Sequence, residues 1–276
     1  MKMTQSQLQR LGELGCSVDS LADYPSAKDR DEAFRTLEKA QLKVNRKKLE
    51  TYRATVKQPK LLELQETIAA CLRDKGFIQV ATPTIISKKF LEQMTIDKDH
   101  KLLNQVFWLD NNKCLRPMLA PNLYEISRNL LNILHKPLGV FEIGSCFRKE
   151  SQGSNHLNEF TMLNLVEWGT PLESRVDRTK EMAQWIMEAA EIEEYSFETD
   201  ESVVYGLTVD VLYKNIEVAS SSIGPHPLDE AWGIHDSWVG IGFGIERLLM
   251  IRDEYSSIHP VGRSISYFDG IRLNMK

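Results

Sequence analysis

The sequence predicts an α+β domain on an antiparallel sheet flanked by helices, preceded by a small helical appendage. Three observations predict it. Apolar alternation with period two recurs in neighbouring segments joined by polar turns, as across 141–160 and on through Trp168. That is the pattern of hairpins, not of strands alternating with helices. Apolar residues three and four apart, such as Leu61, Leu64, Ile68 and Leu72, mark amphipathic helices. Finally, 276 residues that are 42% hydrophobic can bury one large core, with 1–58 as the appendage and 59–276 as the main domain.

In chain order, Leu8, Leu11 and Leu14 make a short helix that Gly15 stops. Ser26 is placed to cap the next helical stretch, in which Ala33, Phe34, Leu37, Leu49 and Tyr52 recur before Pro59, as one helix or two. The 61–72 helix ends at Gly76, and Phe77-Ile-Gln-Val80 reads as a strand closing at Thr82-Pro83. Residues 105–109 and 114–116 flank a turn at Asp110-Asn-Asn-Lys113. A helix follows over 122–134. Next come the 141–168 hairpin and a helix over 172–192 carrying Val176, Met182, Ala183, Ile186 and Ala190. Strands over 207–213 and 216–223 surround Lys214-Asn215, and a glycine-spaced strand from Trp238 runs into a helix with Arg247 in its first turn.

Composition narrows the function classes. No stretch approaches the eighteen apolar residues of a membrane span, so a cytoplasmic protein with no membrane partner is expected. Cys16, Cys71, Cys114 and Cys146 are widely spaced, without metal-ligand spacing to one another or to His. The net charge of −5 argues against bulk capture of nucleic acid, yet residues 39–60 hold eight Lys or Arg against one Glu. That window carries +7 and leaves −12 elsewhere, a local footprint for a polyanion or a solvated helix face.

The chemistry concentrates at the hairpin mouth. Arg148 and Glu150 close its first strand, His156 lies at the far side of the loop, and Phe160 opens the second strand. An arginine fork matches phosphate oxygens and an aromatic face can stack on a base, so the set suits a nucleoside triphosphate. Phe160, Met162, Asn164, Val166 and Trp168 share one strand face, with Asn164 and Val166 about 13 and 20 Å from Phe160 at ~3.3 Å per residue. The glycines of Gly240-Ile-Gly-Phe-Gly244 let a ligand approach the backbone. They do not make a dinucleotide site, because the third glycine comes one position early and no βαβ unit surrounds them. His100, His135, His226, His235 and His259 receive no role.

Three segments together resemble class II aminoacyl-tRNA synthetases: the helix and strand ending at Pro83, the hairpin with Phe147-Arg-Lys-Glu150, and Gly242-Phe-Gly-Ile-Glu-Arg247. Within that class, Arg116-Pro-Met-Leu-Ala-Pro-Asn-Leu-Tyr124, Ser145-Cys-Phe-Arg-Lys-Glu-Ser151 and Glu159-Phe-Thr-Met-Leu-Asn164 are similar to the pyrrolysyl-tRNA synthetase family, over about residues 61–270. The likeness is to the short form, which lacks a separate zinc-containing tRNA-binding domain.

The resemblance implies ATP-dependent activation of pyrrolysine or a related Nε-acylated lysine through an aminoacyl-adenylate, then transfer to a cognate tRNA. It implies that Arg148 holds the α-phosphate and the carboxylate, and that Arg247 meets the γ-phosphate and covers the adenine. Phe160 stacks on the other adenine face, His156 and Leu157 adjoin the phosphates and base, and Glu150 orients the adenine amino group. Glu217 and Ser220 stand as Mg2+ ligands, which requires a bulge near Ala219 because residues three apart cannot share a regular strand face. The amino-acid pocket would comprise Ala120, Leu123, Tyr124, Ser127, Asn164, Val166, Tyr205, Ser222, Trp238 and Gly240, with Asn164 bonding the side-chain amide and Tyr205 as a lid. Ser127 and Ser222 replace the family's usual Leu or Met and small aliphatic, enlarging and polarising the far end. Arg46, Lys47 and Lys48 are the candidate tRNA contacts, and a homodimer through 61–83 is expected. A class II enzyme for another amino acid such as phenylalanine, a tRNA-independent ligase and a regulatory paralogue remain alternatives.

Overall fold

The structure, a computed structural model, describes residues 1–16, 22–55, 58–98, 100–150, 156–202 and 206–273. Its helices are α1 (Gln5–Glu13), α2 (Ala27–Thr55), α3 (Lys60–Asp74), α4 (Lys88–Gln93), α5 (Ala120–Leu131), α6 (Arg175–Ala189), α7 (Asp229–Trp232) and α8 (Ile245–Arg252). The strands are β1 (Ile78–Gln79), β2 (Ile85–Ser87), β3 (Lys113–Leu115), β4 (Leu138–Phe147), β5 (Glu159–Trp168) and β6 (Ser196–Ser202). They continue with β7 (Gly206–Tyr213), β8 (Ile216–Gly224), β9 (Trp238–Gly244), β10 (Tyr267–Phe268) and β11 (Ile271–Arg272). Two compact units result, Met1–Leu62 with His259–Lys276, and Glu63–Ile258. The expected boundary at residue 58 did not anticipate that residues 259–276 cluster with the N-terminal segment.

In the first unit a capping box starts α1. The Thr4 hydroxyl accepts from Gln7 N–H and the Gln7 side chain accepts from Thr4 N–H. Gly15, at φ +79°, ends it. The Ser26 hydroxyl accepts from Asp29 N–H at the start of α2, which runs as one 29-residue helix. Buried Asn45 donates its amide to Leu14 O at 2.9 Å, so α2 satisfies a carbonyl left over at the end of α1. Tyr52 meets Phe268 edge-on at 4.8 Å.

The second unit is built on a seven-stranded sheet in the order β1-β4-β5-β9-β8-β7-β6. Every neighbouring pair is antiparallel except β1 with β4, which is parallel. A parallel neighbour needs a long crossover, and here residues 80–137 supply it. The β4–β5 hairpin follows the apolar alternation, with Phe141 opposite Leu165 and Phe147 opposite Glu159. Helix α6 packs on β9, β8 and β7, burying Met182, Ala183 and Ile186.

Some elements differ from expectation. Gln105 ends a 3-10 turn, and β3 takes β2 as its partner, leaving one bridge between Trp108 and Cys114. The turn between them is as read, since Asp110 Oδ1 accepts from the N–H groups of Asn112 and Lys113 at 2.7 and 2.8 Å. Helix α5 begins two residues earlier than expected, with Pro121 in its first turn, and ends at Leu131. Strand β6 and the short α4 and α7 were not foreseen. Among the described residues no helix is long and apolar enough to cross a membrane.

Candidate active site

Strands β5, β9 and β8 form the floor of a cavity of about 510 Å3. Their register sets side chains in rungs: Asn164 lies opposite Gly242 and Gly242 opposite Ser220, while Val166 lies opposite Gly240 and Gly240 opposite Ser222. The middle strand thus contributes no side chains at these rungs. A trough about 10 Å wide remains between β5 and β8, since neighbouring strands lie ~4.8 Å apart. A Cβ at Gly242 would stand 3.1 Å from the Asn164 amide, and one at Gly144 would stand 2.2 Å from an Arg116 terminal nitrogen. At Gly144, therefore, only glycine leaves the buried arginine its place.

One end of the trough is cationic. Arg148 follows the end of β4, its backbone N–H donating to Asn158 O, and its guanidinium lies 5.4 Å from the Phe160 ring centroid. Its Nε donates to Pro117 O at 2.8 Å, and among the described residues its terminal nitrogens make no hydrogen bond. Arg247 lies in the first turn of α8 and donates to Glu217 O at 2.6 Å. Burial pushes the Arg148 pKa down, and the charge of Arg247 pushes it the same way. Two cations held within each other's field are arranged for an anion between them.

Glu217 and Ser220 face the cavity through the expected bulge. Leu212 pairs with Glu217 while Val211 pairs with Ala219, so Val218 is the extra residue and is buried beside Ala219. The Ser220 hydroxyl donates to Asp210 at 2.8 Å. Burial first, then the Asp210 carboxylate, raise the Glu217 pKa, and Arg247 opposes them.

The other end is apolar. Leu123, Tyr124, Val166, Trp168 and Trp238 line it and belong to one buried cluster with Leu138, Val140, Trp232 and Ile234. Among the described residues the buried Asn164 side-chain oxygen has no hydrogen-bond partner. An acceptor so placed calls for a donor from a bound molecule.

Of the residues singled out from sequence, Arg148, Glu150, His156, Leu157, Phe160, Glu217, Ser220 and Arg247 all line this one cavity. So do Ala120, Leu123, Tyr124, Asn164, Val166, Ser222, Trp238 and Gly240. Ser127 does not. It is fully buried one turn further along α5 than Leu123 and Tyr124, and among the described residues its hydroxyl has no hydrogen-bond partner. Tyr205 lies outside the described residues. Arg46, Lys47 and Lys48 are exposed on α2, in the other unit. Sequence reasoning missed His226 and Glu246, which also line the cavity. Glu246 accepts the Thr161 N–H on both carboxylate oxygens, at 2.9 and 2.8 Å, and its place beside Arg247 in a quoted motif was the available signal.

Residues 43–265 match the family model of the tRNA synthetases class II core domain (F). A solved pyrrolysyl-tRNA synthetase from Desulfitobacterium hafniense is 53% identical, with a TM-score of 0.95, over 99% of this chain and 98% of that one. A second structure from that organism, of PylSc, a pyrrolysyl tRNA synthetase, is 51% identical with a TM-score of 0.92, over 99% and 95% of the two chains. The chain therefore belongs to the class II aminoacyl-tRNA synthetases and, within them, to the pyrrolysyl-tRNA synthetase family of aminoacyl-tRNA ligases.

Proposed function

We propose that this enzyme activates pyrrolysine or a related Nε-acylated lysine with ATP and transfers it to a cognate tRNA. One observation carries the reading: a single cavity joins a two-arginine end to an apolar end, with an unpartnered Asn164 oxygen between them. A long acylated lysine offers an apolar stem, an amide N–H for Asn164 and a carboxylate that reaches the phosphates.

In the first step a carboxylate oxygen bonds to the α-phosphorus as the bond to the bridging oxygen breaks and pyrophosphate leaves. Two anions must meet, so positioning and charge neutralisation dominate the catalysis. Arg148 holds the α-phosphate and the carboxylate, and Arg247 holds the far end of a bent triphosphate. Phe160 stacks on the adenine, Glu150 orients its amino group, and His156 and Leu157 adjoin the phosphates and base. In the second step a terminal tRNA hydroxyl attacks the activated carbonyl and AMP leaves.

Mg2+ is proposed at Glu217 and Ser220, where it would neutralise phosphate charge. The donors fit a hard cation, and among the described residues no cluster of three or more His, Cys, Asp or Glu offers a cage. That agrees with an ion bound largely through substrate phosphates and water.

The test is ATP–pyrophosphate exchange across Nε-acylated lysines and natural amino acids, with and without tRNA. Exchange dependent on long acylated lysines is expected, with none for phenylalanine. Preference for a natural amino acid would refute the substrate, and no exchange at all would favour a regulatory protein.

The exposed Arg46, Lys47 and Lys48 are proposed to contact tRNA phosphates. Replacing all three with Ala should raise the KM for tRNA and lower the slope of its salt dependence by up to about 3. An unaltered slope would return α2 to a solvated helix. We further infer a cytoplasmic homodimer through residues 61–83, a reading supported by the exposed Ile78 in β1.

A further inference from the structure

Behind the apolar end of the cavity sits a carboxylate to which the sequence reading gave no role. Asp229, the first residue of α7, is 3% exposed and does not line the cavity. Its Oδ1 accepts from the Tyr124 hydroxyl at 2.7 Å, and its Oδ2 accepts from Trp238 Nε1–H at 2.8 Å and from His226 N–H at 2.7 Å. Tyr124, Trp238 and His226 all line the cavity. One hidden anion therefore holds three parts of the wall from behind.

The surroundings serve the same arrangement. Tyr124 stacks on Trp232 at 5.3 Å and meets Trp168 and Trp238 edge-on at 5.5 and 5.8 Å. Among the described residues the indole nitrogens of Trp168 and Trp232 have no hydrogen-bond partner, so the polar anchoring of these four rings falls on Tyr124 and Trp238. Hydrogen bonds to an ionised acceptor are about twice as strong as neutral ones, and they fix direction where ring packing permits sliding. A Cβ at Gly224 would lie 1.9 Å from Trp238 Nε1, so glycine clears the path of the indole to Asp229. Arg175 donates to Gly224 O at 2.6 Å and holds that glycine in place. Burial, then the Asp229 charge, push the Tyr124 pKa far up, so the phenol stays a donor throughout the working pH range.

We propose that Asp229 is a positioning residue for substrate choice, its carboxylate locking Tyr124 and Trp238 so that the cavity end keeps one width and discriminates among acyl groups on lysine. This rests on the reading that the apolar end receives the amino-acid side chain.

The test is steady-state ATP–pyrophosphate exchange with Nε-acetyl-lysine and Nε-cyclopentanecarbonyl-lysine, comparing the ratio of their kcat/KM values. Asp229→Ala should lower the ratio of bulky to small substrate at least tenfold, through the amino-acid KM, with the ATP KM within twofold of the parent. Asp229→Asn should recover the ratio to within threefold, because its oxygen still accepts from Trp238 and its amide can donate to the Tyr124 oxygen. Should Asp229→Ala fail to fold, Tyr124→Phe carries the test. It removes one donor, keeps the ring, and should lower the ratio at least threefold. An unchanged ratio in the folded variants, or an ATP KM rising in step with the amino-acid KM, would overturn the proposal. The pocket reading fails separately: an unchanged amino-acid KM in Asn164→Ala would remove it, and the role of Asp229 with it.

Discussion

Arg148→Ala lowers amino-acid-dependent ATP–pyrophosphate exchange by a factor of about 10² to 10³ or more, the cost of removing one preorganised donor from a transition state in which negative charges meet. Three features make Arg148 the most sensitive position. Its Nε is held by Pro117 O, so the fork is fixed before substrate arrives. Its terminal nitrogens, without a hydrogen bond among the described residues, are left for the ligand. It also shares the cavity with Arg247, whose charge adds to the attraction for a triphosphate. The loss should fall on kcat with both amino acid and ATP, while the far-ultraviolet circular dichroism is unchanged. Exchange within threefold of the parent would show that the α-phosphate is held elsewhere.

Arg116→Met lowers the stability of the enzyme by about 3–5 kcal/mol in urea titration, because it leaves a buried carboxylate without its cation. Arg116 and Glu142 form a 2.8 Å ion pair in which both side chains are 3% exposed. Arg116 also donates to Ser145 O and to the Thr82 oxygens, and Thr82 donates both its N–H and its hydroxyl to Glu142. Asn122 completes the network with bonds to the Thr82 hydroxyl and Pro83 O. The segment that follows β1, the middle of β4 and the start of α5 are thus tied at one buried point. A loss below 1 kcal/mol would mean that water reaches the stranded carboxylate.

Much of this site could be read from the chain because its residues sit on regular strands. Period-two alternation put Phe160, Met162, Asn164, Val166 and Trp168 on one face, and all five line the cavity. The spacing of Glu217 and Ser220 demanded a bulge, and Val218 is the extra residue. What escaped reading depends on tertiary contacts. Strand β6 contains Glu198, Asp200 and Glu201, and as a polar sheet edge it lacks an apolar face to betray it. Asp229 left no local signal, because α7, which it begins, is four residues long and too short to show periodicity. Only folding brings Tyr124, 105 positions away, against it. The grouping of residues 259–276 with the N-terminal helices is equally long-range and leaves no local pattern.

The central claim is that one trough receives a bent triphosphate at its arginine end and an acylated lysine at its aromatic end. A crystal structure with a non-hydrolysable adenylate of an Nε-acylated lysine tests it most directly. The account predicts Arg148 on the phosphate, the adenine on Phe160, and the side-chain amide on Asn164 with its acyl group against Trp238. Arg148 or Arg247 turned away from the bound ligand, or an acyl group left in solvent, would contradict it.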